Sequence, residues 1–283
     1  MTAEADDTVR VGGWRRGRIG RVGQLDDETA VHPNGHGTYT TRLSAAWNIG
    51  ATPNGGYAMS SALRALVDVV GRPDPVSVTV HYLRPATPDA DGMITTRLVR
   101  SGRSATYATA TLVQDATERL TVAAVLADLS APVGTMPDPR LTVVAPDIPP
   151  PDACADRGDL DQGIELPLLS RMEVRVRPDG RVHATIDGWV RLRDGSSPAS
   201  TTLPLFADAF PPALQATVGR VGWVPTMELT VHVRRRPQPG WVQAHITCDD
   251  VAAGTMIETG TLWDSSGALV ARSRQLGMVL RRE

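Results

Sequence analysis

A single carboxylate, Asp208, is the strongest candidate for chemistry in this chain of 283 residues. It falls in the last turn of a predicted helix that neighbouring strands should enclose, where it meets the negative end of the helix dipole and loses solvent. Both effects raise a carboxyl pKa toward the range of a general base. The alternative is a helix-end residue that faces solvent, and the residues alone leave both interpretations open.

Two histidines, His81 and His232, are weaker candidates for a base or a metal ligand. They occupy matching positions in a duplicated segment, since residues 77–85 (SVTVHYLRP) return as residues 228–237 (ELTVHVRRRP). A second echo, residues 109–112 (TATL) and 259–262 (TGTL), keeps nearly the same offset. The repeat predicts two copies of one folding unit, and the two histidines then belong to its shared architecture.

Each copy should position its polar residues with strands wrapped around one helix. The stretch from Gly55 to Gly71 is apolar nearly all round, which is typical of an enclosed helix, and four strand-like segments follow it. In the second copy a helix is predicted from Ser200 to Phe210, halted by two prolines. We expect a lead-in at residues 1–36, a first module at 37–131, a Pro- and Asp-rich linker at 132–163, and a second module at 164–283.

Composition limits the partners and the compartment. A formal charge of −2 and a pI near 6.3 disfavour a nucleic-acid partner, which needs a concentrated basic face. No apolar run approaches the roughly 20 residues of a membrane span, and the acidic first residues do not read as a secretory signal, so we expect no membrane partner and a cytoplasmic location. Cys154 and Cys248 have no metal-ligand spacing, so neither a disulfide nor a metal is expected. All 29 basic residues are arginines, which excludes a Schiff base on lysine.

Four motifs occur in this order along the chain: the glycine pair that opens the first helix, residues 81–85 (HYLRP), the Asp of the second helix and residues 268–275 (ALVARSRQ). In these motifs the chain resembles the bacterial thioesterase II type of acyl-CoA thioesterase, in which two hotdog modules are fused. The likeness covers most of residues 38–281. The resemblance implies an α+β double hotdog joined edge to edge, an acyl-CoA substrate, no cofactor, and a homodimer or larger homo-oligomer.

The resemblance also implies the site residues. In this family an Asp, a Thr and a Gln hold and activate the water that attacks the thioester, and the matching positions are Asp208, Thr226 and Gln275. Backbone N–H groups at Gly55 and Gly56 are expected to stabilise the oxyanion, because a helix N-terminus attracts negative charge and glycine allows close approach. The adjacent Tyr57 is expected to line the substrate site.

The two copies differ at these positions. Asp68 is a plausible counterpart of Asp208 in the first copy. The position that matches Thr226 is about Pro75, however, and the position that matches Gln275 is about Val125. We therefore expect only the second copy to carry a complete site.

Two other functions stay open. Hotdog folds also host enoyl-CoA hydratases and dehydratases, but those need an acid–His pair, and no His lies near Asp208 in the helix. The chain is also compatible with an acyl-CoA-binding or lipid-binding protein with little turnover. Residues 234–236 (RRR) could meet the phosphates of coenzyme A or form a solvated edge.

Overall fold

The computed structural model describes residues 23–135, 141–160, 163–178, 184–219 and 224–280. The helices are α1 (Gln24–Glu28), α2 (Gly55–Val70), α3 (Leu203–Ala207) and α4 (Gln215–Val218). The strands of the first half are β1 (His32–Gly35), β2 (Thr38–Arg42), β3 (Asn48–Ile49), β4 (Thr52–Pro53), β5 (Asp74–Tyr82), β6 (Asp91–Ser101), β7 (Thr106–Gln114) and β8 (Thr117–Ala127). Those of the second half are β9 (Ala155–Asp156), β10 (Met172–Val176), β11 (Thr185–Leu192), β12 (Thr226–Val233), β13 (Val242–Ala252), β14 (Thr255–Trp263) and β15 (Leu269–Met278). Short 3-10 helices cover Ala45–Trp47, Pro151–Ala153, Arg157–Asp159, Pro167–Ser170 and Ser200–Thr202.

One antiparallel sheet runs through both modules. Among the described residues it holds 13 strands in the order β1-β2-β6-β7-β8-β5-β12-β15-β14-β13-β11-β10-β9. The modules meet where β5 pairs with β12, and there Thr79 lies opposite Thr230, its counterpart in the repeat. Their hydroxyl oxygens are 2.9 Å apart. The predicted edge-to-edge joining of two copies is therefore observed, with the repeat's symmetry axis at this pair.

Helix α2 forms the centre of the first module, as its apolar sequence predicts. Asn54 caps it, because the side chain accepts a hydrogen bond from the Tyr57 N–H group, and Gly71 ends it with a positive φ of 69°. Ten of its 16 residues are buried. The helix packs on β7, β8 and β6, so its enclosed position explains why both faces are apolar.

The helix of the second module is much shorter than the predicted span from Ser200 to Phe210. A 3-10 turn at Ser200–Thr202 leads into the single α-helical segment Leu203–Ala207, and Asp208 is its C-cap. The chain leaves the α-helical path before the prolines at 211–212, because the Asp208 and Ala209 N–H groups bond the Leu205 and Phe206 carbonyl oxygens, three residues back. Asp208 therefore lies at the end of a short helix.

The described part of the predicted lead-in belongs to the fold. The Glu28 carboxylate accepts hydrogen bonds from Trp47 and Arg171, and its carbonyl accepts one from Tyr57. Strand β1 extends the sheet from His32, so the sheet starts before the expected module boundary at residue 37. Residues 1–22 of the lead-in and parts of the predicted linker lie outside the described residues. The sequence pattern also predicts a strand at residues 181–191, and its first three residues lie outside them as well. None of the described helices is long and apolar enough to cross a membrane.

Candidate active site

Asp208 sits where the short helix of the second module meets the long helix of the first. Its Oδ2 atom accepts hydrogen bonds of 2.8 Å from the Asn54 amide and 2.8 Å from the Gly56 N–H group. The carboxylate thus faces the positive N-terminus of α2 while it caps the negative end of α3. Burial raises the pKa of Asp208 to about 6, although the two hydrogen bonds and the charge of Arg157 oppose the rise.

Thr226 and Gln275 are joined directly to each other. Thr226 begins β12 beside an irregularity in its pairing with β15, and Gln275 lies near the end of β15. The Gln275 amide donates to the Thr226 hydroxyl oxygen at 2.5 Å. This bond fixes the orientation of the Gln275 amide. The Thr226 hydroxyl hydrogen can then donate to a third group, and the Gln275 carbonyl oxygen can accept a hydrogen bond from it.

Asp208, Thr226 and Gln275 line one pocket of about 350 Å³. The first module also contributes, through Asn54, Gly55 and Tyr82, so the pocket lies between the two halves of the repeat. Much of its wall is apolar, including Ile49, Phe210, Val224, Met227, Met256 and Met278. The structure therefore places the three side chains that the family resemblance implies in one cavity, and this cavity suits an apolar ligand that carries a polar centre.

The three residues predicted at the start of α2 differ in how they lie relative to the pocket. Gly55 lines the pocket. The Gly56 N–H group is engaged by Asp208, and a Cβ there would lie 2.8 Å from the Leu205 backbone, so this glycine permits the contact between helices. Tyr57 is fully buried, stacks on Trp47 at 4.9 Å and donates to the Glu28 carbonyl at 2.6 Å. Tyr57 does not line the pocket, so its assignment to the substrate site is corrected to the core.

A second carboxyl group, Glu258, is buried, lines the same pocket and was missed by the sequence analysis. It lies opposite Gln275 in the β14–β15 pairing and accepts a 2.7 Å hydrogen bond from the Ala213 N–H group. Burial raises its pKa to about 7, helped by the nearby charge of Asp208. The sequence did offer one indication of this residue. Glu258 comes directly before residues 259–262 (TGTL), at the position where Ala108 comes before the matching residues 109–112 (TATL).

Asn54 and Arg157 are two further polar residues of the pocket that the sequence analysis did not assign to the site. In the sequence, Asn54 is typical of a turn or a helix cap. Its hydrogen bond to the Asp208 carboxylate joins the two modules, because the residues are 154 positions apart. Arg157 comes from the predicted linker, is 2% exposed, and donates to the Ala209 carbonyl oxygen. Burial lowers its pKa to about 10, so it stays a cation near Asp208.

Other candidate groups lie elsewhere. No histidine within the described ranges lines the pocket, and those ranges contain no cluster of His, Cys, Asp or Glu arranged for a metal ion. The arginines at 234–236 follow the opposite end of β12 from Thr226. Arg236 there binds the Asp74 carboxylate at 2.7 Å.

Known proteins share both the sequence pattern and the architecture. The acyl-CoA thioesterase N-terminal domain matches residues 43–129, and the acyl-CoA thioesterase C-terminal domain matches residues 144–279. A crystal structure of a proposed thioesterase II from Thermobifida fusca YX is 32% identical with a TM-score of 0.82, over 92% of this chain and 99% of that one. A hot dog fold protein of unknown function from Alicyclobacillus acidocaldarius has a TM-score of 0.80 at 23% identity, over 92% and 98% of the two chains.

A relative from Mycobacterium tuberculosis (strain H37Rv), named as an uncharacterized protein, is 29% identical over 266 residues, 84% of this chain and 89% of that protein. Since the two family domains together cover most of the chain, and the structures align over nearly all of it, the predicted α+β double hotdog is confirmed. The chain belongs to the acyl-CoA thioesterase family and is an acyl-CoA thioester hydrolase.

Proposed function

We propose that this protein hydrolyses acyl-CoA to a free acid and coenzyme A by direct attack of a water molecule, with Asp208 as the general base. One observation supports the proposal most strongly. The Asp208 carboxyl group, with a pKa near 6, lines the same pocket as Thr226 and Gln275, which are hydrogen-bonded to each other. At neutral pH such a group is mostly ionised and still basic enough to accept a proton from water.

Each side chain has a defined role in this mechanism. Oδ2 of Asp208 is held by Asn54 and Gly56, and no hydrogen bond among the described residues uses Oδ1. Oδ1 accepts a proton from the water while the water oxygen attacks the thioester carbonyl carbon. The Thr226 hydroxyl and the Gln275 carbonyl oxygen hold the water so that a lone pair points at that carbon.

The rest of the reaction needs no covalent enzyme intermediate. The carbonyl oxygen becomes negative as the C–O bond forms, and the N-terminus of α2 stabilises it through the Gly55 N–H group. The C–S bond then breaks, the sulfur leaves with the bonding electrons, and it takes up the proton that Asp208 accepted. The products are a carboxylic acid and coenzyme A.

The pocket walls support an acyl substrate over the alternatives. Apolar side chains, among them Phe210, Met256 and Met278, suit a hydrocarbon chain. Among the described residues no histidine lies in the pocket, which disfavours the acid–His pair of a hydratase. An acyl-CoA-binding protein with little turnover has the same walls, and turnover measurements separate it from an enzyme.

The test is the release of free thiol from short, medium, long, branched and aromatic acyl-CoAs by the wild type and by Asp208→Asn. We expect kcat to fall about 10³-fold in the variant, since loss of a general base typically costs 10²- to 10⁴-fold. Asp68→Asn is the matched control because Asp68 is exposed and bonds only Tyr39 among the described residues, and it should change kcat less than twofold.

Three results would overturn parts of this proposal. Binding of acyl-CoA without turnover by the wild type would indicate a binding protein. Unchanged turnover in Asp208→Asn would remove Asp208 as the base while leaving the thioesterase activity. An equal loss in Asp68→Asn would mean that the effect of Asp208→Asn is not specific to the pocket.

A further inference from the structure

The hydroxyl group of Tyr82 is buried and has no hydrogen-bond partner. Tyr82 is the last residue of β5, and its side chain lines the pocket. The other buried tyrosine hydroxyls do have partners, since Tyr39 donates to Asp68 and Tyr57 donates to Glu28. Buried hydroxyl groups are nearly always satisfied, so an unpaired one on a residue that lines a pocket indicates a bound group that completes its hydrogen bonding.

Tyr82 and Asp208 face the same side of Gly55. A Cβ atom built on Gly55 would lie 3.0 Å from the Tyr82 hydroxyl oxygen and 3.1 Å from Oδ2 of Asp208. A side chain at residue 55 would therefore displace both groups, so glycine allows Tyr82 and Asp208 to lie close together at the N-terminus of α2. No hydrogen bond joins Tyr82 to Asp208 among the described contacts, so the hydroxyl hydrogen is available to a ligand.

The first turn of α2 has few donors left for an oxyanion. The Gly56 N–H group donates to Asp208, the Tyr57 N–H group to the Asn54 side chain, and the Ala58 N–H group to the Asn54 carbonyl. Only the Gly55 N–H group has no acceptor among the described residues. Sites that stabilise oxyanions generally combine two or more donors, so the helix terminus alone is incomplete.

We propose that Tyr82 is a catalytic residue that donates its hydroxyl hydrogen to the carbonyl oxygen of the bound thioester and completes the oxyanion site with Gly55. This inference rests on the proposed function. The hydroxyl keeps its hydrogen throughout, and the hydrogen bond strengthens as negative charge develops on the carbonyl oxygen and weakens when the C–S bond breaks. No proton is transferred through Tyr82.

The surroundings of Tyr82 keep it in the form that donates. Burial raises its pKa well above 10, and the charges of Asp208 and Glu228 raise it further. The hydroxyl therefore stays protonated over the whole pH range in which Asp208 changes its charge. Loss of the hydroxyl should lower the rate by the same factor on both sides of pH 6.

The experiment compares the wild type with Tyr82→Phe, which keeps the ring, and with Tyr107→Phe, whose side chain is 42% exposed on β7. We expect kcat of Tyr82→Phe to fall about 10²-fold, as for other single oxyanion donors, with KM changed less than threefold. Tyr107→Phe should match the wild type. Both variants are checked for a cooperative thermal transition before they are assayed.

A spectroscopic measurement gives a readout that a structural role would not change. The probe is an acyl-CoA analogue in which a methylene replaces the sulfur, with a ¹³C label in the carbonyl group. We expect its infrared carbonyl band to lie at lower wavenumber in the wild type than in water, and to return toward the water value in Tyr82→Phe.

The outcomes separate this inference from the mechanism on which it rests. A band in the wild type that is not lowered, or equally lowered in Tyr82→Phe, overturns the role of Tyr82 even if that variant folds poorly. A kcat of Tyr82→Phe within twofold of the wild type overturns it as well. If Asp208→Asn keeps full activity while the band shift depends on Tyr82, then the proposed base fails and the carbonyl contact stands.

Discussion

The central helices of the two modules differ in length, and that difference creates the pocket. Helix α2 has 16 residues and α3 has 5, so at 1.5 Å per residue they are about 24 and about 8 Å long. Under α2 the paired strands present two buried alanines, Ala108 opposite Ala124. At the equivalent place in the second module Glu258 lies opposite Gln275. A full-length helix thus requires small apolar residues beneath it, whereas a short helix leaves room for polar ones.

A buried carboxylate, Asp74, and a partly buried one, Asp208, lie near opposite ends of the β5–β12 pair and extend this comparison. Burial opposes ionisation of Asp74, but hydrogen bonds from Arg236, Ser200 and the Leu129 N–H group outweigh it and hold the pKa below its usual value. Asp208 receives fewer donors and no direct hydrogen bond from an arginine among the described contacts, and its pKa rises to about 6. Burial alone therefore does not make a base, because the number of donors decides the direction of the shift.

The largest expected effect comes from placing the carboxyl group of the second module in the first. Ala108→Glu buries a carboxyl group beneath α2, where Ala108 is 2% exposed. We expect the free energy of unfolding to fall by more than about 4 kcal/mol, since an unpaired buried charge is among the most destabilising changes. Urea unfolding measures it. Ala123→Glu, on the exposed face of neighbouring β8, is the control, and equal stability of the two variants would contradict the comparison.

Much of the fold follows from the sequence because local patterns determine it. The helix predicted from Gly55 to Gly71 is observed at Gly55–Val70, and the repeat predicts the joining of β5 and β12. The helix from Ser200 was predicted too long, because the chain tightens into three-residue turns at Asp208 and Ala209, before it reaches the prolines. The counterpart of Gln275 was placed only approximately, near Val125. Pairing with β7 makes it Ala124 and not Val125, because the offset between copies changes along the strands.

The site was less accessible to sequence reasoning than the fold. Asp208 breaks a local rule and was found on that ground, whereas Thr226 and Gln275 rest on the family resemblance, and the roles of all three stay predictions. Glu258 and Tyr82 look like ordinary strand residues, since alternation along a strand allows a polar side chain on either face. What makes them unusual is burial by elements far away in the chain, which no local pattern encodes.

A smaller effect is expected at the opposite end of the β5–β12 pair. Arg236→Met removes the cation from Asp74, which is 1% exposed. We expect a loss of about 2 kcal/mol at pH 7, less than for a fully buried pair because Arg236 is half exposed. Since the native pKa of Asp74 is lowered, the stabilisation is present above its unfolded pKa and disappears as the pH falls through the native value. The difference from the wild type should therefore shrink below pH 4.

Thermal unfolding across pH measures this effect, and thiol release measures activity in the same samples. Activity should be unchanged, because Asp74 and Arg236 lie outside the pocket. Arg235→Met changes an exposed neighbour and should leave stability within about 0.5 kcal/mol of the wild type. A loss of activity in Arg236→Met at full stability would show that the two ends of the strand pair are coupled, contrary to the comparison.

The smallest effect is a shift of the pH profile when one donor to Asp208 is removed. Asn54→Ser keeps an oxygen that can cap α2 but loses the amide that donates to Asp208 at 2.8 Å. With fewer donors the pKa of Asp208 should rise by about one unit, since a hydrogen bond to a charged group contributes about 1.5 kcal/mol or more. Because the ionised form is the base, the acid limb of kcat/KM should move from near pH 6 to near pH 7, while the rate at pH 9 stays close to that of the wild type.

Asn54→Ala should move the limb equally and also lower stability by about 1 kcal/mol through loss of the cap. A limb that stays at pH 6 in both variants would show that it does not report Asp208.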